Sequence, residues 1–387
     1  MPSDRRVWNE CRTLAAAGWD VVVVCPQGTD RDREERATIE GIEIHRYPLR
    51  PAEGGPAGYV REYLQAMWRI RSLARELGRG QRFDVVHAAN PPDFLLLAAR
   101  ALRRSGARFI FDHHDLVPEL YQSRFATDRR HPVVQVTRLV ERLAFRLADV
   151  SIATNESYRR IAIERGGMDP DDVFVVRNGP DLGRFGPASP DPDLKHGRAH
   201  LIAYLGVMGP QDGIDHALGA LAVLHERRQD WRAIFIGDGD VLDAMRARAR
   251  DLGIADVVEF AGWRGDEDIR RILSTADVCL APDPPSPLNE RSTMMKIPEY
   301  LAIGRAVASY DLPESRVSAG EAGIYAQAGD QADLARCIDS LLSDPALRDR
   351  MGRLGRERVE HRLAWEHSAT QLLAAYDRVL QHAVGGS

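Results

Sequence analysis

Short apolar runs, each of strand length, alternate with amphipathic stretches of helix length along most of this chain. In the first half the runs are WDVVVVCP, EGIEIHRYP, RFDVVHA, ARFIFDHHD, DVSIATN and DVFVVRN. After a break come LIAYLG, WRAIFIGDGD, VVEFAGW, ADVCLAPD, RAVASY and AGIYAQ. Such alternation builds βαβ units around a parallel sheet. The runs are nearly continuous in Val, Ile and Phe, as expected of strands covered by helices on both faces. The fold class is therefore α/β, with two doubly wound, Rossmann-like domains facing each other across a cleft.

The break is NGPDLGRFGPASPDPDLKHGRAH, Asn178 to His200, rich in Pro, Gly and Asp and without periodicity, and it reads as an interdomain linker. A length of 387 residues exceeds what one core usually serves. The expected division is residues 1–182, residues 183–362, and a last segment, 363–387. In that segment a helix from about Leu363 to Gln381, with Trp365, Leu372 and Tyr376, packs back on the first domain. The start is unusual. SDRRVWNECRTLAAAG is already helical in pattern, with Asp4 as its N-cap, where a domain of this class opens with a buried strand. Either Met1 is internal to a longer product or the fold dispenses with that strand.

Composition excludes several classes. A hydrophobic share of 44%, a charged share of 28% and a net charge of -5 describe an ordinary globular protein that does not bind nucleic acid through bulk charge. Cys11, Cys25, Cys279 and Cys337 lack CxxC pairing and read as reduced core residues. No apolar run approaches bilayer length, and MPSDRRVWNE lacks the apolar segment of a signal peptide, so a cytoplasmic location is expected.

In open α/β sheets ligands bind beyond the carboxyl ends of strands, so the residues that follow each run carry the candidates. After LIAYL comes GVMGPQDGID, where Gly206, Met208, Gly209 and Gly213 turn into a helix near Ile214. Such a turn lets backbone approach a phosphate, or is simply tight. The turn IGDGD, Ile236 to Asp240, carries two aspartates that repel phosphate and reads as structural, or as facing a base or ribose. Lysine occurs only at Lys195 and Lys296, against fifty arginines. Lys296 lies in NERSTMMKIPEYLAIG, in a helix for which Ser292 or Thr293 is the natural N-cap, and the amides from Thr293 through Met294 to Met295 can hold an anion. Glu299 can accept bonds from two neighbouring hydroxyls; the plainer alternative is an i,i+3 salt bridge with Lys296 on a solvated face. In the first domain FDHHDLVPE sets Asp112, His113, His114 and Asp115 after a strand. Metal is not expected there, since no cysteine is near and adjacent histidines diverge. HAANPPD, TNES and RNG read as turns lining the cleft.

Taken together, DRRVWNECRTLAAAGWDVVVVCP, HDLVPE, TNES with VVRNGPD, and MKIPEYLAIGRAVASYD, in that order, give a chain that resembles the family 4 glycosyltransferases of GT-B fold over nearly its whole length. The resemblance implies transfer of a sugar from a UDP- or GDP-linked donor with retention of configuration and no catalytic metal. The nucleotide-sugar is a co-substrate held by the second domain; the acceptor lies mainly on the first. It also implies roles: Glu299 matches the second glutamate of the family's EX7E motif, which binds the ribose hydroxyls. His114 matches the histidine beside the donor sugar, with Asp115 orienting it or lining the acceptor side, and Gly262 to Arg264, with Trp263 between them, matches the loop that contacts the base. Two departures stand out. Arg291 occupies the place of the first EX7E glutamate, with Glu290 one residue early, and Val207 and Asp212 stand where the family's GRL…KG turn has Arg and Lys. A bacterial surface-polysaccharide branch is similar in its MGxQDG turn and STMxK…EY block. The expectation is that Lys296 and Arg291, with the amides around Thr293, stabilise the departing diphosphate instead.

The implied chemistry is front-face attack on an oxocarbenium-like centre, with the leaving diphosphate taking the acceptor proton. The acceptor is a glycan, a lipid-linked molecule or a small molecule. The stretch Gly58 to Gly80, helical with aromatics and arginines, suits peripheral contact with an inner membrane surface, or is a first-domain helix with buried Trp68. Two other classes stay open: a sugar-nucleotide epimerase of GT-B fold, and a non-catalytic relative that binds nucleotide-sugar.

Overall fold

The computed structural model describes residues 4–28, 32–49, 55–91, 93–95, 102–103, 106–125 and 127–384. Met1, Pro92 and the last three residues therefore lie outside the described residues, as do the side chains of Tyr59 and Tyr63. Every apolar run named above forms a strand. In the first half these are β1 (Val22–Pro26), β3 (Ile42–Tyr47), β4 (Val85–Ala89), β5 (Arg108–His113), β6 (Val150–Ala153) and β7 (Val173–Val175). A further strand, β2 (Arg36–Ile39), runs antiparallel to β3 and was not foreseen. In the second half β8 (His200–Leu205), β9 (Trp231–Ile236), β10 (Val258–Gly262), β11 (Val278–Ala281), β12 (Val307–Tyr310) and β13 (Gly323–Ala326) follow.

Contacts divide the chain into two compact units. The first comprises Met1–Gln122, Thr127–Arg177 and Ser368–Ser387; the second comprises Ser123–Ala126 and Asn178–His367. The second unit holds one all-parallel sheet in the order β10-β9-β8-β11-β12-β13. Neighbouring residues of its strands enter opposite cores. Ile202 and Tyr204 of β8 pack with Phe235, Leu280 and Ala308 on one face, while Leu201 and Ala203 pack with Ile234, Cys279 and Val307 on the other. Both faces are covered, which is why the runs are apolar throughout.

The first unit differs from a single doubly wound sheet. Its described strands form two sheets, β1-β3-β2 and β4-β5-β6-β7, with no ladder between them. Among the described residues no strand joins β1 to β4; the first described element is the helix Arg5–Ala16, capped by Asp4, whose side chain accepts from the Val7 amide. The segment after Arg177 is not a free tether. Phe185 is buried in the core of the second unit, the Ala188 and Asp191 amides bond Ser274 Oγ and Thr275 Oγ1 at 2.9 and 2.8 Å, and Lys195 pairs with Asp277 at 2.8 Å. The last helix, Trp365–Val384, gives its later part to the first unit. There the Tyr376 hydroxyl lies 3.0 Å from His87 Nδ1, and Arg378 pairs with Asp172 at 2.7 Å.

Cys11, Cys279 and Cys337 are buried and Cys25 is half-buried, all four free; burial pushes the Cys11 and Cys279 thiols up to about 12. Among the described residues no helix is long and apolar enough to cross a membrane.

Candidate functional site

In the first unit, β5 ends in Asp112 and His113, and the next turn presents His114 and Asp115. Successive side chains of a strand point to opposite faces, and the two histidines indeed part company. His113 is fully buried, 3.2 Å from Glu141 and ringed by Phe111, Phe145 and Tyr158. Glu141 and Glu119 share Arg165, whose guanidinium reaches Glu141 and Glu119 each at 2.6 Å. HDLVPE thus contributes a structural glutamate as well as the turn. In TNES, Asn155 caps the helix Glu156–Glu164 through a 2.8 Å bond from the Tyr158 amide.

His114 faces the other way, with Nδ1 3.1 Å from Asp112 Oδ2. Asp112 is itself gripped by the Arg6 guanidinium at 3.1 and 2.7 Å, and Arg6 also donates to the Val176 carbonyl at 2.8 Å. Burial alone would raise Asp112; Arg6, the hydrogen bond from His114 and the nearby His87, 3.9 Å away, outweigh it and hold the carboxylate well below its ordinary range. Burial would lower His114, but its bond to Asp112 and that charge outweigh the cost, leaving the imidazole above its usual value. The arrangement fixes the proton on Nδ1 and leaves Nε2 to meet a ligand. Asp115 is pushed up by burial against the pull of His114 and His113.

The turn is held by Asn90, a residue the sequence did not single out. It is 1% exposed; its Oδ1 accepts from the His114 and Asp115 amides at 2.8 and 3.0 Å, and its Nδ2 donates to the Asp115 carbonyl and to Asp93, both at 2.7 Å. HAANPPD is therefore the scaffold of the HHD turn. Glu10, His87 and Asp112 bring donor atoms within 4.8 Å of one another, a spacing that a metal ion would accept. Arg6 lies 3.2 Å from Glu10 and 2.7 Å from Asp112, so a guanidinium already supplies the positive charge.

In the second unit the candidates gather at the carboxyl ends of β8 and β11. The turn after β8 is tightly tied. The Gly206 amide bonds the Ile236 carbonyl and the Met208 amide the Asp238 carbonyl, both at 3.0 Å, and Tyr204 pins the Val207 carbonyl at 2.8 Å. Met208 is fully buried. The Gly209 amide bonds Asp212 Oδ2 at 3.0 Å, so a carboxylate of the chain rests where an anion would. Gly213 has φ of 70°, and a Cβ there would lie 2.1 Å from the Pro282 carbonyl oxygen, which packs the turn against the loop after β11. Gly237 packs its turn onto Gly206 in the same manner.

Lys296 opens the helix Lys296–Ala302, which is shorter than expected. Neither Ser292 nor Thr293 caps it: Met295 holds the cap position, the Ser292 amide bonds the Leu288 carbonyl at 3.0 Å, and Thr293 Oγ1 donates to Glu314. The preceding residues close their own turn, and that turn takes up the chain a helical start would need. Lys296 is 6% exposed, bonded to Asp283 at 2.6 Å, with Asp212 at 3.9 Å and the Tyr204 ring at 5.1 Å. The solvated i,i+3 pair with Glu299 does not form. Burial would lower the ammonium, but Asp283 and Asp212 outweigh it and raise it. Asp212 is raised by burial, with Lys296 pulling down and Asp283 pushing up. Asp283 keeps Oδ2 buried without a hydrogen-bond partner.

Glu299 lies 9% exposed on the same helix, which Tyr300 fastens to the sheet by donating to the Leu280 carbonyl and accepting from the Leu205 amide. Arg291 donates to the Pro287 carbonyl at 2.7 Å, and Met294 packs on the core. Asn289, also unforeseen, is buried and donates to the Gln211 and Pro284 carbonyls, joining the glycine turn to this loop. Trp263, past β10, is 62% exposed with Arg264 beside it.

Residues 3–179 match the family model of the glycosyl transferase 4-like domain, and residues 199–344 match that of glycosyl transferases group 1. A 2-deoxystreptamine glucosyltransferase of Streptomyces kanamyceticus is 28% identical over 95% of this chain and 97% of its own. A glycogen synthase of Mycobacterium tuberculosis is 27% identical, covering 96% and 90%. Among solved structures, sucrose-phosphate synthase from Thermosynechococcus elongatus superposes with a TM-score of 0.80 at 19% identity, covering 98% and 94% of the two chains. HepE of Anabaena in complex with UDP and glucose gives 0.70 at 17%, covering 93% and 100%. With its two sheet-bearing units, its glycine turn and the Glu299 helix, the chain belongs to the family 4 glycosyltransferases of GT-B fold.

Proposed function

We propose that the protein is a retaining glycosyltransferase that moves a sugar from a nucleotide-sugar, UDP-linked in preference to GDP-linked, to a glycan, lipid-linked or small-molecule acceptor. One observation carries the donor side: Glu299 stands on a short buried helix beside the glycine turn, both at the carboxyl ends of one parallel sheet. A carboxylate there accepts two ribose hydroxyls. Structures of HepE with UDP and with UDP-glucose support a UDP-linked donor.

In this reading Lys296 and Arg291, with the amides around Thr293, stabilise the departing diphosphate. Asp212 then shifts or takes a proton, which its raised pKa favours, so that a phosphate replaces it on the Gly209 amide. His114, held by Asp112 through Nδ1 and carrying a second proton on Nε2, which its raised pKa favours, donates from Nε2 to the donor sugar as charge develops, Asp115 orients the acceptor side, and the leaving phosphate accepts the acceptor's proton. Trp263 and Arg264 meet the base. No metal enters the scheme. A second reading, a relative that binds nucleotide-sugar without turning it over, rests on Asp212 and Asp283 crowding the one lysine at the turn.

The test is the anomeric configuration of the product, read by NMR with an α-linked UDP-sugar and candidate acceptors. An α-linked product is expected; a β-linked product overturns retention, and UDP release that needs no acceptor points to an epimerase. His114→Ala is expected to lower turnover by about 100-fold or more with donor affinity little changed.

A further inference from the structure

We propose that the first unit carries an anion pocket that grips a phosphate-class group on the acceptor; the assignment to an acceptor rests on the glycosyltransferase reading above. A cavity of about 550 Å³ opens at the carboxyl ends of the parallel strands β1 and β3. Gln27 and Gly28 follow β1, Leu49 follows β3, and Arg61, Gln65 and Arg69 come from the helix Gly55–Gly80. The spacing i, i+4, i+8 sets these last three in a row on one face of that helix. Carboxyl ends of parallel strands are where sheets of this class hold ligands, and the volume suits a small molecule.

The charges make the pocket selective. Among the described residues no carboxylate lines it, and neither Arg61 nor Arg69 has an acidic partner. This contrasts with Arg6, Arg46, Arg103, Arg108 and Arg165 of the same unit, each paired with Asp or Glu. Arg69 Nε is buried with no hydrogen-bond partner. Two guanidinium forks beside two amide side chains match the oxygens of a phosphate, which accepts paired bonds that a neutral sugar hydroxyl cannot. Beside the row, Leu64 and Trp68 stand 56% and 62% exposed, an apolar strip four residues apart along the helix. Trp68 is thus not the buried residue of the plainer expectation. The ligand is then a phosphate ester, either on a soluble molecule or on a lipid headgroup whose apolar part follows that strip.

The experiment titrates glycerol 3-phosphate into the full-length chain by calorimetry with UDP at saturation, so that the nucleotide site is filled. The wild type is expected to bind. Arg61→Gln with Arg69→Gln is expected to weaken binding by about tenfold or more, the loss of at least one charged hydrogen bond. Gln65→Glu is expected to weaken it too with both arginines intact, and UDP affinity is unchanged in all. Equal affinity for glycerol 3-phosphate in the wild type and the double variant overturns the pocket. Arginine-dependent phosphate binding by a chain that binds no UDP supports the pocket and overturns the glycosyltransferase reading instead. Cosedimentation separates the sources. Binding to phosphatidic acid vesicles over phosphatidylcholine vesicles, lost in the double variant and reduced by Trp68→Ala, assigns a lipid headgroup; binding of the soluble ester alone assigns a free phosphate. Vesicle binding indifferent to both arginines overturns the role of the pair.

Discussion

Lys296 has two aspartates within reach and almost no solvent, and that decides what its removal does. Breaking a buried ion pair from one side leaves a charge uncompensated, so Lys296→Ala is expected to cost about 3–5 kcal/mol of stability, read as a lower thermal midpoint. Replacing both partners, Lys296→Met with Asp283→Leu, is expected to recover most of that loss. An unchanged midpoint in the single variant would show the pair to be idle. A second buried carboxylate gives a pH signature. Asp93 is pushed up to about 7, mainly by burial, against the bond from Asn90. The folded pKa exceeds the unfolded one, so this group's contribution is fully present below the ordinary carboxylate range and is lost as pH rises through about 7. Asp93→Asn, which does not titrate, is expected to gain stability over the wild type progressively between those limits; a gain that is flat with pH contradicts this. The sequence made Lys296 conspicuous by its rarity and His114 by its motif. It gave no sign of Asp283, Asn90 or Arg6, because each acts across the chain, on a partner whose distance is set by the fold. Arg6 and Asp112 are 106 residues apart.

At the scale of elements, strands buried on both faces were legible because burial writes itself as an unbroken apolar run. β2 was not, since RATI is a short edge strand with half its residues exposed and its partner β3 supplies the core. The start of the Lys296–Ala302 helix was misplaced because Ser and Thr close loops as readily as they cap helices. The glycine turn yields a prediction here. Gly213 combines left-handed backbone with contact to the Pro282 carbonyl, so Gly213→Ala is expected to cost about 1–3 kcal/mol from backbone strain alone, with donor binding weakened as the turn shifts. Wild-type melting and donor affinity in this variant would contradict the reading of the turn.

On the scale of the whole chain, two Rossmann-like halves were legible from the two series of apolar runs, and the break at Asn178 is where the chain leaves the first compact unit, which it rejoins at Ser368. The packing of the break itself was not legible, because Ser274, Thr275 and Asp277 receive it from far along the sequence. Nor was the division of the first unit into two sheets; a sequence shows which segments are strands, not which ladders close. The decisive point is whether this family 4 glycosyltransferase holds its nucleotide on the second unit through Glu299. Calorimetric titration of UDP and GDP into the wild type and Glu299→Ala tests it directly. UDP is expected to bind more tightly than GDP, and the variant to lose about tenfold or more in UDP affinity, the value of a charged hydrogen bond to the ribose. Failure of the wild type to bind either nucleotide, or UDP affinity untouched by the substitution, would contradict it.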